Sequence, residues 1–181
     1  AMRYYRMAAD NKNVDALDTL WQSYQNGVRG LRFDTEKMSH YLLRAIAQGS
    51  VKAQTTLGCA HQQGSYGFPQ HPAKAVYYFR LAASQHYAPA QFHLANCYKD
   101  GFGGLVQDSV LAMRHYFLAA AQGFTEAHCT LGDLYWTGGA VFQNHARAIS
   151  HYRVAASQAS AVAQCMLAHI YEVGSPWGCI R

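Results

Sequence analysis

The sequence predicts an all-α solenoid of antiparallel helix pairs, and three observations carry that prediction. One spaced pattern recurs five times: Ala16, Leu20, Tyr24, Gly27; Ala53, Leu57, His61, Gly64; Ala90, Leu94, Tyr98, Gly101; Ala127, Leu131, Tyr135, Gly138; and Ala163, Leu167, Tyr171, Gly174. A second pattern alternates with it. It reads Ala1, Tyr4, Tyr5, Ala8, Ala9, and returns at Met38, at Ala75, at Ala112 and at Ala148 with the same i, i+3, i+4, i+7, i+8 spacing that makes one stripe on an α-helix. The third observation is the period: successive alanines at 16, 53, 90, 127 and 163 lie 37, 37, 37 and 36 residues apart. A fixed period in this range marks stacked units, not one closed core.

Each element follows from these patterns. The chain divides into a half repeat at 1–12, full repeats at 13–49, 50–86, 87–123 and 124–159, and a half repeat at 160–181. Within a repeat the first pattern forms helix A and the second forms helix B. Asp34, His71, Asp108 and Asn144 stand where helix B begins; Asp and Asn are good N-caps, and His71 is followed by Pro72, which suits the first helical position. Gly27, Gly64, Gly101 and Gly138 close helix A, and Gly30, Gly67 and Gly104 stand where the turn needs a positive φ. The fourth turn is one residue shorter, which accounts for the single step of 36. Helices of about 12 residues are marginal alone in water, so each pair draws its stability from stacking on the next.

Composition agrees. Half of the residues are apolar and 14% are charged, which suits a folded chain. No apolar run approaches the roughly 18 residues that cross a bilayer, and no charged-then-apolar leader is visible. Ala1 falls inside a repeat, so the first residue says little about destination. Cys59, Cys97, Cys129 and Cys165 all lie on A helices, and Cys179 lies in the tail. Neighbouring helices stand about 8–10 Å apart, beyond disulfide reach, so free thiols are expected. There is no C-x-x-C pair.

These residues resemble the Sel1-like repeats, a subclass of the tetratricopeptide-like α-solenoids. The resemblance is carried best by Leu131, Gly132, Tyr135 and Gly138 on helix A, and by Lys74, Ala75, Tyr78, Ala82 and Ala83 on helix B. Departures are Trp21 in place of glycine, His61 in place of tyrosine, and His86 and Ala159 in place of the closing glycine. The resemblance implies a right-handed superhelix with A helices lining the concave face, and a role in assembling protein complexes. It also implies which side chains point into the groove: Asp18, Gln22 and Gln25; Thr55, Cys59 and Gln62; Phe92, Asn96 and Lys99; Cys129, Asp133 and Trp136; Cys165, His169 and Glu172. Of these, Gln22, Gln25, Gln62, Phe92, Asn96, Lys99, Asp133, Trp136, His169 and Glu172 are expected to contact a partner.

The function expected is therefore a non-catalytic adaptor that binds a peptide or helix of a partner protein in the groove. No Walker loop, dinucleotide fingerprint, Gly-x-Ser-x-Gly or His-Glu-x-x-His occurs, so no enzyme, cofactor or metal site is expected, and a groove enzyme would need a nucleophile–base pair that the spacing does not show. Of the ten histidines, His61, His115 and His151 take aromatic packing slots, and no two lie at i, i+4. Formal net charge is +5. Arg3, Arg6, Lys37, Arg44, Lys74, Arg80, Arg114, Arg147 and Arg153 belong to helix B and its approaches, whereas the A helices are acid-leaning. The alternative is thus a basic convex face for nucleic acid or an anionic membrane, although nucleic acid is not the expected partner. The final helix A lacks a following helix B, which predicts exposure of Leu167 and Tyr171 and either further repeats, a cap made by Trp177 and Ile180, or end-to-end self-association.

Overall fold

The computed structural model describes residues 2–138 and 141–172, and these form ten α-helices with no strand among the described residues. A lone helix B, α1 (Met2–Asp10), is followed by four A–B pairs: α2 (Val14–Asn26) with α3 (Thr35–Ala47), α4 (Val51–Gln63) with α5 (Pro72–Ala83), α6 (Ala88–Asp100) with α7 (Ser109–Ala121), and α8 (Thr125–Thr137) with α9 (His145–Ser157). The last is α10 (Ala161–Glu172), a further helix A. Each helix packs on the one before it and the one after it, as expected for a solenoid.

The three expected B-helix caps form, and the histidine caps its helix as well. Asp34, Asp108 and Asn144 each accept the backbone N–H of the residue three further on at 2.9 Å, and His71 Nδ1 accepts that of Lys74 at 3.3 Å. Gly27, Gly64 and Gly101 end their helices in the left-handed region, and the fourth A–B turn, the shorter one, leaves Gly138 at ψ −163° instead. The turns from helix B to helix A use the same region, but His86 and Ala159 adopt it at φ 61° and 63° without being glycine.

The core of each pair rests on opposed sizes. A Cβ on Gly58 would come within 2.6 Å of the Phe79 ring, and one on Gly132 within 2.5 Å of the Tyr152 ring, so a buried B-helix ring lies directly over each glycine. In α2 and α3 the sizes are exchanged: Trp21 occupies the glycine slot and Leu42 the ring slot, both buried in one cluster. A second motif recurs beside it. The A-helix aromatic stacks flat on a B-helix ring in all four pairs: Tyr24 on Tyr41, His61 on Tyr78, Tyr98 on His115 and Tyr135 on His151, with centroids 5.7 to 6.1 Å apart.

The B-helix arginines tie repeats together. Arg6, Arg80 and Arg153 each donate from Nη2 to the hydroxyl of the tyrosine 18 residues on, Tyr24, Tyr98 and Tyr171, at 3.1, 3.3 and 2.9 Å. Leu43 holds the arginine slot opposite His61, which has no hydroxyl and donates from Nδ1 to the Pro69 carbonyl at 3.0 Å. Phe117 holds it opposite Tyr135, whose hydroxyl takes Arg147 from its own repeat at 3.3 Å. Arg44 donates to the Ala9 carbonyl at 2.8 Å, and Lys37 pairs with Asp34 at 2.9 Å. Six of the nine cations assigned to the convex side therefore have contacts within the protein. On α10, Tyr171 is exposed and Leu167 half-buried; Gly174, Trp177, Cys179 and Ile180 lie outside the described residues.

Candidate functional site

Three successive A helices wall a recess of 470 Å³, lined from α2 by Trp21, Gln22 and Gln25, from α4 by Lys52, Thr55, Thr56, Cys59 and Gln63, from the following turn by Tyr66, and from the start of α6 by Tyr87, Pro89 and His93. Its size falls in the range typical of ligand sites. Tyr66 sits at φ 56°, a strained setting for a side chain of this size, and its hydroxyl accepts Gln25 Nε2 at 2.8 Å from the preceding repeat. A larger hollow of 880 Å³ lies under the α8–α9 turn between Tyr135 and Arg147. Lined largely by the turn itself, it brings no such set of A-helix side chains together.

Gln22, Gln25, Thr55 and Cys59, which the register assigns to the groove, line this recess. Gln62 is half-buried just outside the recess, and its neighbour Gln63 lines it instead. The acid-leaning groove is not found at this point: no carboxylate lines the recess, and Asp18 is 7% exposed, its Oδ1 accepting Trp21 Nε1 at 2.8 Å and Ser50 Oγ at 2.7 Å. The bulk of Trp21 explains this, because its indole N–H needs a buried acceptor.

Further along, groove positions are tied to the scaffold. Asn96 Oδ1 accepts the Tyr116 hydroxyl at 2.5 Å, and Asp133 Oδ1 accepts the Tyr152 hydroxyl at 2.7 Å. Burial pushes the Tyr116 phenol up to about 12; burial, followed by the Asp133 bond, raises that of Tyr152 as well. Phe92 packs between Tyr116 and Phe124, at 5.7 and 5.4 Å. Trp136, expected to contact a partner, also has a packing duty: its ring meets His145 edge-on at 4.3 Å, and it lies half-buried against the core. The shortened α8–α9 turn starts α9 one residue early, which brings His145 against it. Lys99 is exposed beside Asp100, 3.7 Å away, and His169 and Glu172 are exposed on α10.

Spacing alone missed Lys52, Thr56, Tyr66, Tyr87, Pro89 and His93. It also missed a thiol–imidazole contact, Cys59 Sγ to His93 Nε2 at 3.5 Å. The surroundings of this pair shift both groups away from an ion pair. Burial pushes the Cys59 thiol up to about 11 and the His93 imidazole down, leaving neutral thiol beside neutral imidazole at neutral pH. Cys59, Cys97, Cys129 and Cys165 are free. Among the described residues no three His, Cys, Asp or Glu side chains converge as metal ligands, and no helix is long and apolar enough to cross a membrane.

The family model described as "Sel1 repeat" matches residues 1–13, 51–87, 88–124, 125–160 and 161–181. Residues 14–50, where Trp21 displaces the glycine, fall outside these matches yet fold into the same helix pair. Among curated proteins no relative matches the chain. Two similar solved structures are c5321, a protective antigen of uropathogenic Escherichia coli with an SLR fold (27% identity, TM-score 0.82), and a Sel1 repeat protein from Oxalobacter formigenes (26%, TM-score 0.82). The first alignment covers 96% of this chain and 37% of that one, and the second 91% and 66%. The immunity protein PA5088 from Pseudomonas aeruginosa shares the fold at 22% identity and TM-score 0.68, covering 97% and 63%. The chain thus spans about a third to two thirds of the length of these structures.

Proposed function

Because the chain belongs to the Sel1 repeat family, whose members generally mediate protein–protein interaction, we propose that it is a non-catalytic scaffold that holds a partner segment along its concave face. The observation that carries this reading is the recess walled by α2, α4 and α6, where three repeats converge on one hydrogen-bonding surface. The contact surface runs from Gln22, Gln25 and Gln62, past Phe92, Asn96 and Lys99, to Asp133, Trp136, His169 and Glu172. Towards the α8–α10 end, the exposed edge of Trp136 with Asp133 and Glu172 suits an apolar side chain flanked by lysine or arginine. The basic-face alternative has weaker support, since Arg6, Arg44, Arg80, Arg147 and Arg153 are occupied by bonds within the solenoid.

A photoreactive residue placed at Gln22, on the concave face, and separately at Arg114, exposed on helix B, tests the reading in source-cell extract. The expected result is a discrete protein adduct from position 22 alone. Adducts only from position 114, removed by nuclease, would overturn it in favour of nucleic acid.

A further inference from the structure

The concave face is uneven in hydrogen-bonding capacity, and the unevenness points to one place. Asn96 and Asp133 spend an acceptor on Tyr116 and Tyr152, and Phe92 and Trp136 are packed against other aromatic rings of the scaffold. In the α2–α4–α6 recess, by contrast, the Gln22 and Gln63 carboxamides and the Thr56 hydroxyl have no hydrogen-bond partner among the described residues, and Lys52 forms no ion pair there. A carboxamide offers a donor and an acceptor side by side, the complement of a peptide group in an extended chain. Lys52 is the one formally charged lining residue, and no lining carboxylate opposes it. Asp18 beneath is already held by Trp21 and Ser50.

We infer that this recess takes an extended acidic peptide segment, its main chain bonded by Gln22, Gln63 and Thr56 and an Asp or Glu side chain drawn to Lys52. Apolar side chains of the segment rest on Tyr87 and Pro89. The inference rests on the concave-face reading and narrows it to one half of the groove.

The test uses the full chain and three pools of short fluorescent peptides that share apolar residues and differ in bearing acidic, neutral or basic ones. Polarisation titrations are expected to show the acidic pool binding about tenfold or more tighter than the basic pool, with the order inverted by Lys52→Glu. Thr56→Arg, which fills the recess, should abolish binding, and Arg114→Ala, on the exposed side of α7, should leave it within about twofold; thermal melts confirm folding, and Gln22→Ala replaces Thr56→Arg if the latter unfolds. Preference for the basic pool would make Asp18 the governing charge and overturn the inference. Binding lost in Trp136→Ala but kept in folded Thr56→Arg or Gln22→Ala would also overturn it while leaving the concave-face reading standing. No binding by any pool would count against both.

Discussion

The α2–α3 and α8–α9 pairs occupy equivalent places in the solenoid and solve the same packing problem with opposite residues. In α8–α9 the A helix withdraws to Gly132 and the B helix fills the space with Tyr152; in α2–α3 the A helix advances with Trp21 and the B helix withdraws to Leu42. Both pairs fill their cores. What the two pairs share is therefore a filled A–B contact, reached with different residues on each side, as close-packed interiors require. The exchange has chemical consequences too. Trp21 brings an N–H that needs Asp18, and Tyr152 brings a hydroxyl that needs Asp133.

The strongest way to break the comparison is to remove the larger member. Trp21→Ala should cost about 3–5 kcal/mol, because it opens a cavity and takes one of two donors from buried Asp18. Because the two slots face each other, Trp21→Gly with Leu42→Tyr sets the first pair in the arrangement of the fourth and should cost less than the sum of the single changes; denaturant titrations of the single and double variants form the cycle, and additivity would refute it. Next comes overfilling. Gly132→Leu should cost about 1–3 kcal/mol despite the better helix propensity of leucine, since the Tyr152 ring is fully buried and has nowhere to go. A raised or unchanged melting temperature would contradict the contact. Ala95 holds the same slot against Tyr116, so Gly132→Ala should be tolerated better than Gly132→Leu.

Acid should separate the pairs more mildly. His128 Nε2 donates to the Ala120 carbonyl at 3.1 Å, so in the neutral ring its Nδ1 accepts from His151 Nδ1, also at 3.1 Å. A second proton would set two donors face to face. Burial lowers both imidazoles, with the mutual repulsion and Arg147 adding to the effect at His151. The unfolded chain therefore binds more protons: stability is full above the ordinary histidine value near 6.5 and falls as pH drops through it. Repeat one has Leu17 and Tyr41 in these slots. Amide exchange at pH 5 should show α8–α9 losing protection before α2–α3, and His128→Leu with His151→Tyr should remove the difference. The smallest effect is in the turns that follow. Gly49 after the first pair is relaxed at φ 85°, whereas Ala159 after the fourth is held at 63°, so Ala159→Gly should gain up to about 1 kcal/mol by chemical denaturation, and Gly49→Ala should lose.

The repeat period, the helix bounds and the caps were legible because they are local and periodic: Asp34, Asp108 and Asn144 bond three residues ahead. The same periodicity picks out Gln22, Gln25, Thr55 and Cys59, four of the residues that line the recess. Contacts between residues 18 to 34 apart were not, because they depend on how far a side chain reaches across a helix pair. Cys59 with His93 is such a contact. Trp136 meets His145 only nine residues on, across a turn shortened by one residue. The arginine ties left a readable trace: Arg6, Arg80 and Arg153 each precede a tyrosine by 18 residues, and where tyrosine becomes His61 the arginine becomes Leu43.

That last substitution sets the mechanics of the molecule. The junction between α3 and α4 lacks an arginine tie and is the most sparsely packed step from one repeat to the next. Two hydrogen bonds cross it instead, Gln25 Nε2 to the Tyr66 hydroxyl and Ser50 Oγ to Asp18, so the bracing of this joint is carried by the wall and floor of the recess. The recess straddles that joint, with α2 on one side and α4 and α6 on the other. A bound segment spanning the recess would add one more brace to the joint beneath it.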